Sequence, residues 1–204
     1  MLTDDEFNQV CDVLTKHEGL IAWLYCDSKG FVTVGVGDKV SQASVLTMPF
    51  VHLLDGSAAD AEEKQTAYTR VLGLFVKGLT ASAYRACSDL RLPADFCRRR
   101  LKYRVTSEFV PAIEKQCPQF ADFPTPAKLV LVDIAYNTGT AGFAAFQQLI
   151  ADCNAGHFAN AAEQVHTQQD GEDPRNPETW GTRNMWRHDT MRDAALAVGW
   201  RDHG

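Results

Sequence analysis

The chain has 204 residues, 45% of them hydrophobic and 23% charged, and a formal net charge of −6. Those values describe an ordinary soluble globular protein, expected to be a monomer and large enough to bury a core as one domain or one domain with two lobes. They exclude a membrane span, since no apolar run approaches the roughly 18 residues it needs, and they argue against a general nucleic-acid binder, which shows a basic surface. Thr3-Asp4-Asp5-Glu6 has the form of a capping box, and Phe7, Val10, Cys11 and Leu14 follow at helical spacing. Gly19 is the natural stop of this first helix. Trp23-Leu24-Tyr25, a turn at Asp27-Ser28-Lys29-Gly30, and Phe31 to Gly37 then read as a β-hairpin. In its second strand Phe31, Thr33 and Gly35 share one face, and Val32, Val34 and Val36 the other.

Beyond about residue 40 the apolar period is helical and strand signals are absent. Helical segments are predicted over 58–76, 94–115, 128–136, 142–153, 158–168 and 187–198, with Gly156 as a C-cap and a polar loop over 170–177. The expected fold class is α+β, predominantly α. It is a single domain, 1–204, with a small hairpin lobe over about residues 15–60 and a larger helical lobe made of the rest and the first helix.

The six cysteines form no C-x-x-C pair, so a zinc ribbon or thioredoxin-like site is not expected, and a chain of this size does not need disulfides. The six histidines show no H-x-x-x-H spacing, and no metal or cofactor is expected. The acidic N-terminus is unlike a signal peptide, which points to synthesis in the cytoplasm followed by delivery by another route. The basic residues at 98, 99, 100, 102 and 104, and Arg183, Arg187, Arg192 and Arg201, are read as solvated helix faces.

Two carboxylates draw the eye to chemistry. Glu18 closes the first helix, where a negative charge opposes the helix dipole, so the position is poor for stability and suits a general acid. Asp27 opens a solvated hairpin turn, where a carboxylate stays ionised. Contrasting environments for two carboxylates are what glycoside hydrolysis uses. Taken singly, each residue also has a plain structural reading, as a solvated helix-end glutamate and as a turn-forming aspartate.

The linear pattern is more specific than its members. Glu18-Gly19-Leu20, Tyr25, Asp27, Gly30-Phe31, Thr33, Gly35 and Gly37 together resemble the phage-type lysozymes, the muramidases of glycoside hydrolase family 24. Leu129 to Gly142, with Asn137-Thr138-Gly139, resembles that family's long buried helix and its end. Residues 40–91 have no clear counterpart and are expected to hold an extra helix. Gly181 to Arg187 is a loose equivalent of the family's paired arginines, and Phe146 stands where a serine is common.

The resemblance implies a lysozyme-like fold with a cleft between the two lobes. It implies hydrolysis of the β-1,4 bond between N-acetylmuramic acid and N-acetylglucosamine, with Glu18 as acid and Asp27, helped by Thr33, holding the water. It places Tyr136, Asn137, Lys39 and Gln164 as candidate sugar contacts. The implied partner is the peptidoglycan glycan strand, joined by an immunity protein if the chain is a secreted antibacterial effector rather than an endolysin. The alternatives are a lytic transglycosylase using Glu18 alone, or an inactive wall-binding or partner-binding module. Cys26, beside Asp27, is discounted as a nucleophile because strand alternation points it away.

Overall fold

A computed structural model describes residues 1–167 and 181–199. The chain divides into two compact units, Leu14–Lys102 and Met1–Val13 with Tyr103–Gly204. The unit that contains the hairpin runs to Lys102. Most described residues are helical and the sheets are small and antiparallel, so the α+β, predominantly α class holds.

The first helix, α1 (Asp4–Glu18), starts as predicted. Thr3 N–H donates to Glu6 Oε2 at 2.8 Å, and Glu6 N–H donates to Thr3 Oγ at 3.2 Å. Glu6 does more than cap, however. It is buried, and its Oε1 accepts from Lys128 Nζ at 2.8 Å and from the Thr125 hydroxyl at 3.2 Å.

In the Leu14–Lys102 unit, β1 (Ile21–Cys26), β2 (Val32–Gly35) and β3 (Asp38–Lys39) form a sheet in that order. One sheet face carries Leu24, Cys26, Val32 and Val34 into a core with Val45, Met48, Phe50, Val71 and Tyr84. The region beyond residue 40 does hold strands, contrary to the sequence reading. β4 (Val51–His52) pairs with β5 (Leu90–Arg91); α2 (Gln42–Thr47) precedes β4, and α3 (Ala61–Gly73) lies between the two strands. Strands of two residues are too short to show a period, so sequence pattern does not reveal them.

In the other unit the predicted 94–115 helix, which crosses the boundary, is broken. α4 (Ala94–Arg104) passes through a π-turn, Val105–Phe109, into α5 (Val110–Gln116). Pro111 lacks an N–H, so the regular ladder cannot continue through it, and Val110 N–H bonds instead to the Val105 carbonyl. The helix α6 (Thr125–Phe143) is buried on nearly all sides from Ala127 to Ala135, the charged Lys128 and Asp133 included, and breaks at Gly139, where φ is +77°. α7 (Gln147–Asn154), α8 (Phe158–Ala162) and α9 (Thr182–Ala197) follow. The helix predicted over 158–168 ends at Ala162, with residues 163–167 in turn and irregular backbone, and the predicted 170–177 loop lies outside the described residues.

α9 begins five residues before its predicted start because its first turns are polar yet buried. Asp133 of α6 accepts from Arg187 Nε at 2.6 Å and from Arg183 Nη2 and Nε at 2.8 and 3.1 Å. Arg187 also donates to the Thr167 hydroxyl and to Asn184 Oδ1, each at 3.0 Å. These arginines are not a solvated face: Arg187 and Asp133 are both 0% exposed. The reading as solvated faces holds for Arg98, Arg99 and Lys102, which are exposed. The six cysteines are buried free thiols.

Two stability predictions follow from these buried charges. Asp133→Asn leaves two guanidinium groups without their counter-charge, and urea denaturation is expected to show a loss of about 3–5 kcal/mol. For Glu6, burial pushes the carboxyl up, but the Lys128 ammonium, Thr3 N–H and Thr125 hydroxyl together hold it below its ordinary value. A depressed carboxylate contributes stability that is present above its unfolded value and lost as pH falls through its folded value. The stability gap between wild type and Glu6→Gln should therefore be full at neutral pH and shrink on acidification.

Candidate active site

Glu18 is the last residue of α1 and is half-buried. Gly19, at φ +76°, ends the helix and turns the chain into β1 two residues later. The helix end and the strand start are thus tied by a two-residue link.

Asp27 follows β1 directly and builds the hairpin turn. Its N–H donates to the Phe31 carbonyl at 2.9 Å, and Gly30 N–H donates to the Asp27 carbonyl at 3.0 Å. Its side-chain Oδ1 accepts the Lys29 and Phe31 N–H groups, both at 2.9 Å. One carboxylate oxygen is therefore fixed by backbone, which sets the direction of the other. Oδ2 faces Lys39 Nζ at 3.4 Å. That ammonium also stands 4.6 Å above the Phe31 ring.

The register places Tyr25 opposite Thr33 and Thr33 opposite Lys39, a row across three strands. Cys26 pairs with Val32, so Asp27 and Phe31 close the hairpin one step further on. Thr33 does not reach Asp27 with its hydroxyl. It donates to the Phe31 carbonyl at 2.9 Å, so its effect on Asp27 runs through the turn backbone. Lys39, a candidate sugar contact, is the side chain that meets the carboxylate.

Tyr25 reports on both acids. Burial first, then the charge of Glu18, then that of Asp27, push its phenol up to about 12. Cys26 takes the opposite face, where its thiol donates to the Val71 carbonyl at 3.5 Å and burial pushes it up, an inert setting that agrees with discounting it.

The remaining candidates belong to the other unit. Tyr136 is occupied by structure: Arg104 Nη1 donates to its hydroxyl at 3.0 Å, the guanidinium lies 5.0 Å from its ring centroid, and the Phe109 ring lies at 4.9 Å. Asn137 is half-buried two residues before the Gly139 break. Gln164 is exposed beside a cavity of about 250 Å³ that Gln148, Glu163 and His166 also line.

A larger cavity, about 490 Å³, lies between α3 and the segment leading into β5. Its polar groups satisfy one another. His52 meets Asp89 at 2.9 Å and Glu63 at 3.2 Å, and Arg70 donates to the Cys87 carbonyl at 3.3 Å. Neither Glu18 nor Asp27 lines it, and size alone does not make it the reactive site. Among the described residues no group of three or more His, Cys, Asp or Glu is placed to hold a metal. No protein-family model matches the chain, and no curated protein matches it.

In the sequence Tyr25 stands out only as a member of the Glu18–Gly37 pattern. The signal was available, because alternation puts it on the face of Asp27. The turn itself is testable at Gly30, where φ is +84° and an added Cβ would meet the Phe75 ring at 3.3 Å. Gly30→Ala is expected to cost roughly 1–2 kcal/mol for the left-handed backbone alone, read as a lower thermal midpoint.

Proposed function

We propose that the chain is a lysozyme-like muramidase that hydrolyses the β-1,4 bond between N-acetylmuramic acid and N-acetylglucosamine in peptidoglycan. The observation that carries this reading is that Glu18 closes α1 just before β1 starts, while Asp27, at the far end of β1, has one carboxylate oxygen fixed by the Lys29 and Phe31 N–H groups and the other left to face outward from the turn. The resemblance of residues 18–37 to the phage-type lysozymes supports it. Glu18 protonates the glycosidic oxygen as the bond to the anomeric carbon breaks. Asp27 Oδ2 holds a water, accepts its proton, and directs its oxygen to the opposite face of that carbon. The product is an inverted reducing end, and each proton is accounted for. Thr33 serves by locking the turn that aims Asp27.

The partner is then the glycan strand of the wall, reached through a holin or a secretion machine. An immunity protein belongs to the picture where the chain serves as an antibacterial effector. Tyr136, Asn137 and Gln164 remain proposed sugar contacts on the strength of the resemblance alone.

The test is a zymogram with wild type, Glu18→Gln and Asp27→Asn. Asparagine keeps an oxygen for the Lys29 and Phe31 N–H groups, so the turn should survive while proton acceptance is lost. Each variant is expected to lose roughly 10²–10⁴-fold in activity with unchanged circular dichroism. Mass spectrometry of the digest should show reducing muramic acid ends. Anhydro-muramyl products would instead establish a transglycosylase, and full activity of Asp27→Asn would remove the two-carboxylate mechanism.

A further inference from the structure

We propose that Tyr25 is a third catalytic residue of this site, a permanent hydrogen-bond donor that engages an acceptor oxygen of the sugar held between Glu18 and Asp27. The proposal rests on the muramidase reading and deepens it.

Placement comes first. Leu24 and Cys26 are buried in the core, and alternation sets Tyr25 on the other sheet face, which leads to Asp27 two residues on, while its ring still packs against the edge of that core. Its cross-strand neighbours on that face are Thr33 and, one strand further, Lys39. Neither engages the phenol. The Thr33 hydroxyl is committed to the Phe31 carbonyl, and Lys39 to Asp27 and the Phe31 ring. Among the described residues the Tyr25 hydroxyl has no protein hydrogen-bond partner, although the ring is half-buried. A phenol at a partly buried site ordinarily finds a partner for its O–H. Here the place where a partner belongs is the place where acid and base act.

Chemistry then narrows the role. A phenol pushed up to about 12, by burial and then by the two acids, keeps its proton at any pH a wall enzyme meets. It cannot be a nucleophile or a base. Donation is what it offers, and the acceptors a glycan presents are hydroxyl, acetamido and ring oxygens. A donor fixed beside the reacting sugar gains strength as charge develops there, so its effect belongs mainly in kcat.

Tyr25→Phe removes one oxygen and keeps the ring that packs on the sheet. On soluble glycan strands its kcat/KM is expected to fall roughly 10- to 100-fold, chiefly through kcat, with the thermal midpoint close to wild type. In tyrosine-labelled protein the Tyr25 Cζ resonance should move as Glu18 and as Asp27 ionise, and should lose one response each in Glu18→Gln and Asp27→Asn. A packing role predicts neither the kcat effect nor the two responses. Wild-type kcat/KM in Tyr25→Phe, with Glu18→Gln and Asp27→Asn inactive, overturns this proposal and leaves the muramidase reading standing. A Cζ resonance blind to either carboxylate overturns it as well. A wild-type protein that releases no reducing ends overturns both.

Discussion

Everything at the candidate site depends on the register of one hairpin. A strand has a period of two, so slipping β1 against β2 by a single residue would turn Leu24 and Cys26 outward and bury Tyr25 and Asp27. Several local contacts oppose that slip. Asp27 Oδ1 gathers the Lys29 and Phe31 N–H groups, and the Thr33 hydroxyl takes the Phe31 carbonyl. Gly30 supplies the left-handed turn residue, and Phe75 packs over it. The carboxylate proposed to hold water is therefore also the group that shapes its own strand. One oxygen does each task, and a side chain with a single polar atom could not serve both.

The unit containing α6 and α9 uses buried charge in a different way. An ion pair taken out of water gains little over a well-packed apolar substitute, because desolvation offsets the attraction. What it does provide is direction. Asp133 accepts two guanidinium groups from successive turns of α9, which fixes that helix on α6 in rotation as well as in distance. The Glu6–Lys128 pair ties the start of α1 to α6 by the same means.

These two arrangements explain what the sequence made legible. The capping box, the first helix and the hairpin with its faces depend on contacts within a few residues, and all were readable. The start of α9 was not, since Arg183, Asn184 and Arg187 look solvated until Asp133, some fifty positions earlier, is brought beside them. The two-residue strands β3, β4 and β5 owe their existence to partners and carry no period. At the candidate site, spacing pointed to Glu18 and Asp27, and the alternation that sets Tyr25 on the face leading to Asp27 was there to be read. The direction of the Thr33 hydroxyl was not readable, because a threonine beside a turn has both a carboxylate and a backbone carbonyl within choice. Nor was the partner of Lys39, whose long stem reaches either way.

The charges around the two acids also divide their labour. Asp27 is met by two backbone N–H groups and an ammonium, all of which favour a negative charge. Glu18 lies at the carbonyl end of α1, where the helix dipole opposes one. The two carboxylates thus stand in contrasting surroundings. Burial pushes the Tyr25 phenol up to about 12, so on the sheet face that leads to Asp27 it keeps its proton and is able to donate. The proposed acid, the proposed base and the proposed donor thus come from neighbouring elements of a single unit, α1, the hairpin turn and β1, so that one hairpin register aims all three.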